Sequence, residues 1–485
     1  MTPDMKNSPN LFLSLIPVVF LFILLAFSVY CFGDDCVSGP NQMVLFASTF
    51  AVFIVSILAG RKYTELEKCM IQGIAETLPA CLILLFVGVL ISVWFVSGTM
   101  PTMIYYGMNL INARVFYPCA AIVCALVSMC IGSSWNTAAT VGIAAMGIAK
   151  ALGLDPVITA GAVISGSYFG DKMSPLSETT NLASAVSQVN LFDHIRGMTF
   201  TTVPSIIISV IMFAAVGLWA QPAAESIDNE SFRDMLQSSF NISPWCLLPL
   251  AVLIYFAVKR YPPIFTILAG IISGLAAAVI FQFDSITGIL GTDGSFLENI
   301  RALWLVTYDG LRLNTGNEAF NALLSGGGMS GMFNTVILMI AAMSFGSAME
   351  CSGCLHRIMS VVVRFINSAG RLVLATVLTA FGINAISGEQ CMSVILPGRM
   401  YAEIYDDMKI APTVMSRSLE DGGTITSVLI PWSTCGVYFS GIMGISTLDY
   451  LPYCFFNLVN VGLAVIFAVF GLGIVGKSGK QPADS

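Results

Sequence analysis

The sequence predicts an all-α polytopic membrane protein of about ten transmembrane helices plus two re-entrant hairpins with broken helices, arranged as two inverted repeats. Three observations lead there. Charge is scarce, apolar runs long enough to cross a bilayer recur along the whole chain, and two of the longer runs carry polar knots.

Of 485 residues, 56% are hydrophobic and only 10% are charged, where a soluble domain carries about 25% Asp, Glu, Lys and Arg. The 21 basic and 28 acidic side chains cannot clothe the solvated surfaces that a soluble chain of this length forms. Lipid is therefore the solvent for most of it. A net charge of −7 without basic runs offers nothing to nucleic-acid phosphates. No ATPase signature and no nucleophile–base pair appear, so an ion gradient supplies the energy and no enzymatic activity is expected. Most of the thirteen cysteines (Cys81, Cys119, Cys124 and Cys130 among them) sit in apolar runs, where a thiol acts as a small hydrophobe. Cys351 and Cys354 form one lone CxxC at the end of an apolar stretch, and Cys31 and Cys36 flank a short loop where they could pair, free thiols being the expectation there. With His194 and His356 the only histidines, no redox or resident metal site and no cofactor are expected.

Apolar runs of about 20 residues mark the spans. They cover 11–32, 42–60 and 74–98, then a long region 115–151, then 157–186 and 198–220. Beyond an acidic connector come 242–258, 262–281 and 333–350, a second long region 371–408, then 419–443 and 450–475. The first run is too long for a signal-peptide core and lacks a small-residue cleavage site, so it reads as a span that stays.

The two long regions do not read as simple spans. One holds Gly132-Ser133-Ser134-Trp135-Asn136-Thr137 and the other Ser387-Gly388-Glu389-Gln390. Irregular polar backbone at membrane depth survives only where protein buries it or a cavity receives it, and the apolar arms after both knots look short for a crossing. Re-entrant hairpins over 113–151 and 371–408 satisfy both points. Each half then reads three spans, hairpin, two spans: a first repeat over 1–220, an external connector at 221–242, a second repeat over 243–476, and a cytoplasmic tail at 477–485. An odd number of crossings per half inverts the second repeat, a recurrent transporter architecture. With the N- and C-termini cytoplasmic, most basic residues fall inside, among them Arg61, Lys62, Lys68, Arg357 and Lys409, as the positive-inside bias requires.

Ionisable groups within the bilayer cost at least about 2.5 kcal/mol each, so those that persist mark function. The candidates are Asp171, Lys172, Glu178, Glu389, Glu420 and Asp421; Glu76 and Glu350 lie at span ends. The densest cluster is Gly170-Asp171-Lys172-Met173-Ser174-Pro175-Leu176-Ser177-Glu178-Thr179-Thr180-Asn181. Its glycine and proline predict a broken helix whose freed carbonyls, hydroxyls and carboxylate suit a hard monovalent cation. The second half offers a counterpart in Glu420-Asp421-Gly422-Gly423-Thr424-Ile425-Thr426, followed by Pro431-Trp432-Ser433-Thr434. The candidate ion- or substrate-binding residues are Ser133, Ser134, Asn136, Thr137, Asp171, Ser177, Glu178, Thr179, Thr180 and Asn181 in one half. Glu389, Gln390, Asp421, Thr424, Thr426, Ser433 and Thr434 join them from the other. Trp135, Trp432 and Gln390 are placed to shape a pocket.

The segment 170–183 resembles the signature of the NhaC-type sodium/proton antiporter family, within the ion-transporter superfamily. The resemblance continues through Ser133-Ser134-Trp135-Asn136-Thr137-Ala138, Leu396-Pro397-Gly398-Arg399-Met400, Ser418-Leu419-Glu420-Asp421 and Pro431-Trp432-Ser433-Thr434. Glu178 and Glu389 stand where the family usually has Asp, Val428 where it has Pro, and Ser433 where it has Asn. The resemblance implies a secondary transporter of the plasma (inner) membrane that exports Na+ in exchange for H+ by alternating access. It implies Na+ coordination by the hairpin tips and broken helices; on these residues Na+ is expected at Asp171, Asn136 and Thr180, with Asp171 the carboxylate for which Na+ and protons compete. Lys172 is then a countercharge that enters the site when Na+ is absent, or a structural partner. Some similar proteins look like Na+-coupled carriers of a small organic acid or amino acid, such as malate/lactate exchangers, which leaves that cargo, and a homodimeric state, as the alternatives to be tested.

Overall fold

A computed structural model describes residues 9–474 and 476, apart from 34–35, 37–38, 111, 220–228, 260, 314–320, 322–323 and 363–365. The expected tail and the first part of the acidic connector lie outside the described residues. Among those described the chain is almost entirely helical, with two isolated β-bridges and no strand.

The helices follow the apolar runs closely. They are α1 (Leu11–Phe32), α2 (Pro40–Leu58), α3 (Tyr63–Val96), α4 (Thr99–Leu110) and α5 (Phe116–Ile131). Next come α6 (134–151), α7 (Pro156–Met173), α8 (Glu178–Val186), α9 (Leu191–Trp219) and α10 (Asn229–Ser239). The second half holds α11 (Leu248–Val258), α12 (Pro263–Phe281), α13 (Phe283–Leu290), α14 (Phe296–Asp309), α15 (Phe333–Cys351) and α16 (Cys354–Val362). It continues with α17 (Ala369–Ser387), α18 (Gln390–Asp407), α19 (412–427), α20 (Thr434–Met443) and α21 (Phe455–Val469). Among the described residues, eight helices are long and apolar enough to cross a membrane, and two bent pairs raise that to as many as ten. This is a multi-pass membrane protein. Side chains such as Phe12, Ile211 and Ile272 are more than half exposed on its outer face, where lipid rather than water accommodates them.

Two groups of helices emerge from the packing. The opening spans of the two halves, α1–α3 with α11, α12 and α15, pack together. The other group sets α5 against α7 and α9, α9 against α21, and α17 against α18 and α19. Glycines let the α5–α7 pair close tightly: a Cβ at Gly166 would lie 2.0 Å from the Ala121 carbonyl oxygen, and one at Gly170 2.3 Å from that of Ala125. Both polar knots turn on a glycine in the left-handed region, Gly132 (φ +75°) after α5 and Gly388 (φ +70°) after α17, where a Cβ is disfavoured. The helices that follow start at once. Ser133 caps α6, its Oγ accepting from Asn136 N (3.2 Å), and Glu389 caps α18, accepting from Met392 N (2.9 Å). Helix α18 runs for 18 residues, longer than the arm read from the sequence.

The cysteines hold one pairing that the sequence did not point to. Cys69 of α3 and Cys351 of α15 form a disulfide, while Cys354 and the Cys31/Cys36 thiols are not disulfide-bonded. The partners are 282 residues apart in sequence and meet only because α3 and α15 pack side by side.

Candidate functional site

Both predicted helix breaks are present. Helix α7 ends at Met173; the backbone is irregular through Pro175, and Ser177 restarts it as the N-cap of α8, its Oγ accepting from Thr180 N at 3.4 Å. Helix α19 contains one turn of π-helix, Glu420–Thr424, ends at Ser427, and passes through a turn to Ser433, which caps α20 by accepting from Gly436 N at 2.9 Å. A wide π-turn lengthens the chain locally by one residue and leaves carbonyls without their usual partners, a feature common at functional sites. A second π-turn, Ala138–Gly142, follows the first knot.

The knots and the breaks converge on one cavity of about 750 Å³. The first knot docks on the end of α7: Ser134 donates to Asp171 Oδ2 from its backbone N (3.1 Å) and its Oγ (2.7 Å). The second docks on the start of α20, where Thr434 N donates to the Gly388 carbonyl at 2.8 Å. The two halves also meet each other. The Trp135 and Tyr438 rings stack at 3.9 Å, and Tyr438 donates to the Trp135 carbonyl at 3.2 Å. Within the second half, Gln390 Oε1 accepts from Ser427 Oγ (3.2 Å) and Cys435 Sγ (2.6 Å).

Of the sequence candidates, Ser133, Ser134, Asn136, Asp171, Glu178, Thr179, Glu389, Gln390 and Thr434 line this cavity. The others do not line it. Thr137 donates to the Ser133 carbonyl (2.9 Å). Thr180 donates to the Lys172 carbonyl (3.2 Å), satisfying backbone freed by the break, and Asn181 donates to the Pro175 and Ser177 carbonyls. Thr426 donates to the Gly422 carbonyl (2.6 Å), Ser433 donates to the Ser427 carbonyl, and Thr424 Oγ1 is buried without a partner. Of the three residues expected to hold Na+, Asp171 and Asn136 reach the cavity and Thr180 braces its wall. Trp135 also lines it; Trp432 instead donates from Nε1 to the Ala385 carbonyl (2.8 Å) and packs edge-on against Phe22.

Lys172 and Asp421 point away from the cavity and into each other. They form an ion pair between α7 and α19, at 0% and 1% exposure. Asp421 also accepts from Asn460 Nδ2 (2.8 Å) and Thr201 Oγ1 (3.2 Å). The adjacent Asp171 and Lys172 thus serve different partners, as their separation of about 100° around a helix allows. Sequence reading missed Thr201 and Asn460, since one Thr or Asn in an apolar helix is an ordinary sight. It also gave little weight to Glu76 and Glu350 at span ends, both of which line the cavity.

The electrostatics of the cavity are one-sided. Glu76, Asp171, Glu178, Glu350 and Glu389 line it, with no Lys, Arg or His among the described lining residues. Low-dielectric walls focus such a field onto whatever enters. The arrangement attracts cations and repels anions, and Asp171, Asn136 and Ser133 all line the cavity, bringing to one wall the charged and neutral oxygens that suit a hard cation.

Comparison with known proteins adds an independent line. The family model described as the Na+/H+ antiporter family matches residues 166–472. The malate-2H+/Na+-lactate antiporter of Bacillus subtilis is 35% identical over 96% of this chain and 95% of its own length. The Na+/H+ antiporter NhaC of Alkalihalophilus pseudofirmus is 35% identical over 85% of this chain and 86% of its own. Among solved structures, a YdaH transporter of Alcanivorax borkumensis aligns with a TM-score of 0.35 at 14% identity, over 95% of this chain and 98% of that one.

Proposed function

Because the chain belongs to the Na+/H+ antiporter family, we propose that it exports Na+ in exchange for H+ by alternating access. The observation that carries this reading is the cavity lined by five carboxylates and no described base. Na+ enters that field and is held at Asp171 with Asn136, while Ser134 orients the carboxylate through its two donations. The group of helices containing α5–α9 and α17–α21 moves against the group built on α1–α3, α11, α12 and α15. The buried Lys172–Asp421 pair ties α7 to α19 so that the two breaks travel together. The protein sits in the plasma (inner) membrane with both termini cytoplasmic.

A second reading rests on size. A cavity of about 750 Å³ falls in the range that receives whole small molecules, about 300–1,000 Å³. That favours Na+-coupled carriage of an amino acid, or of an organic acid as in the Bacillus subtilis relative. The five carboxylates weigh against a dicarboxylate, which enters only with its charge compensated.

Proteoliposomes carrying a trapped pH dye separate the two. Proton movement on adding Na+ alone supports exchange of Na+ for H+. A response only when an amino acid or dicarboxylate accompanies Na+ supports the second reading and sinks the first.

A further inference from the structure

Glu420 is a buried acid that neither lines the cavity nor joins the Lys172–Asp421 pair. It opens the π-turn of α19, at 0% exposure. Neither Oε1 nor Oε2 has a hydrogen-bond partner among the described residues. Its surroundings explain why nothing neutralises it. Lys172, whose charge reaches Glu420, is already paired with Asp421. Arg417, on the turn before it, donates to the Gly473 carbonyl (3.2 Å) and lies over the Phe200 ring. Asp171, Asp421 and the Cys391 thiol also face it and supply no positive charge. From α17 and α21 come amides whose nitrogens point elsewhere: Asn384 Nδ2 to Thr426 Oγ1 (3.0 Å), Asn457 Nδ2 to the Ile425 carbonyl (2.9 Å) and Asn460 Nδ2 to Asp421. The oxygens left over, Asn384 Oδ1, Asn457 Oδ1 and Thr424 Oγ1, are themselves buried and unpartnered.

An ionised carboxylate in such a place has no free cation and at most the Thr424 hydroxyl to donate to it, a cost of at least several kcal/mol. A protonated one is neutral, and its O–H can donate to one of the acceptors around it. Asp171 is the opposite case: it lines the cavity and receives two donations from Ser134. We infer that the two exchanged species ride on different carboxylates, Na+ on Asp171 at the cavity and the proton on Glu420 inside the π-turn of α19. The inference rests on the Na+/H+ reading and deepens it, replacing competition at one carboxylate with a division of labour. In the conformation described, Glu420 carries its proton sealed from the cavity. When the helix group moves and water reaches the turn, the Glu420 O–H bond breaks, the proton leaves to water, and the carboxylate is solvated until the next proton arrives.

The test uses the full-length protein in proteoliposomes and two fluxes. One is Na+ uptake driven by a pH gradient; the other is exchange of labelled Na+ for unlabelled Na+ at equal pH on both sides. Glu420→Gln mimics the protonated side chain and cannot release a proton. It is expected to lose at least tenfold in the gradient-driven flux while Na+/Na+ exchange and its apparent KM stay within about threefold, and Glu420→Asp is expected to regain part of the coupling. Retention of gradient-driven flux in Glu420→Gln overturns the assignment, as does equal loss of both fluxes in correctly folded protein. Infrared spectroscopy of the wild type gives a readout that does not depend on the Gln variant folding. A protonated-carboxyl band at neutral pH that shifts in Glu420→Asp supports the assignment, and its absence overturns it. A wild type that moves no protons with Na+ yet shows the band removes the antiporter reading and leaves Glu420 as a buried acid that keeps its proton.

Discussion

At the scale of single residues, neighbouring acids in this protein differ by what meets them. Asp171 receives two donors and opens to the cavity, Asp421 is neutralised by Lys172, and Glu420 meets neither. Removing the Asp171 charge is expected to raise the Na+ concentration needed for half-maximal proton movement at least tenfold, the equivalent of about 1.4 kcal/mol. Asp171→Asn measured in the dye-loaded proteoliposomes, beside a check that the protein still inserts, decides it; an unchanged response shows that Na+ binds elsewhere. The Lys172–Asp421 pair makes a different prediction. Breaking a buried pair from one side strands a charge and costs about 3–5 kcal/mol. Lys172→Met is therefore expected to lower the thermal midpoint in detergent markedly, and Lys172→Met with Asp421→Asn to recover most of it. A double variant as unstable as the single one contradicts the pairing.

At the scale of elements, the local signals proved readable where they interrupt an apolar run. Gly132 and Gly388 mark where α5 and α17 stop, and Ser174-Pro175 marks where α7 stops. The second break was legible as an acid followed by two glycines, but its form was not. A π-turn is a misfit of one residue in an otherwise ordinary helix, and composition does not distinguish it from an α-helical turn. Nor did the sequence reading find α4, α13 and α14, short helices too polar or too brief to count as spans. Helix α5 and helix α7 close on each other through Gly166 and Gly170. Gly170→Val is expected to push them apart and to cost about 1–3 kcal/mol, as overpacking does. Gly462→Ala on α21, where a Cβ meets nothing within 4 Å, is expected to be neutral within about 0.5 kcal/mol or slightly stabilising. Thermal midpoints of the two variants compared side by side test the contrast, and equal shifts count against the packing argument.

On the scale of the whole molecule, the cavity is an electrostatic funnel assembled from both helix groups. Glu76 of α3 and Glu350 of α15 belong to the first group, Asp171, Glu178 and Glu389 to the second. Glu76 and Glu350 lie at the ends of their apolar stretches, so their contribution is to concentrate cations rather than to ligate one. Glu76→Gln together with Glu350→Gln is expected to raise the apparent KM for Na+ a few-fold at low ionic strength and to leave the maximal rate unchanged. The difference is expected to shrink as salt screens the field. A fall in maximal rate with KM unchanged, measured over a salt series, shows that these acids act in the exchange step instead.

The sequence by itself determined that the chain lives in lipid, where it is helical, and which short segments break the helices. Lipid imposes those features locally: each residue in a span is apolar or needs a reason not to be, so every exception is visible in the chain. Only the tertiary structure decided which exceptions share a cavity and which find a partner. Lys172 and Asp421 lie 249 residues apart, and Cys69 and Cys351 lie 282 apart. No local rule links such positions, because their meeting depends on how the two halves pack. Adjacent carboxylates on one helix, Glu420 and Asp421, acquire opposite situations for the same reason: each points at a different neighbour, and the neighbours come from the other half of the chain or from far along their own.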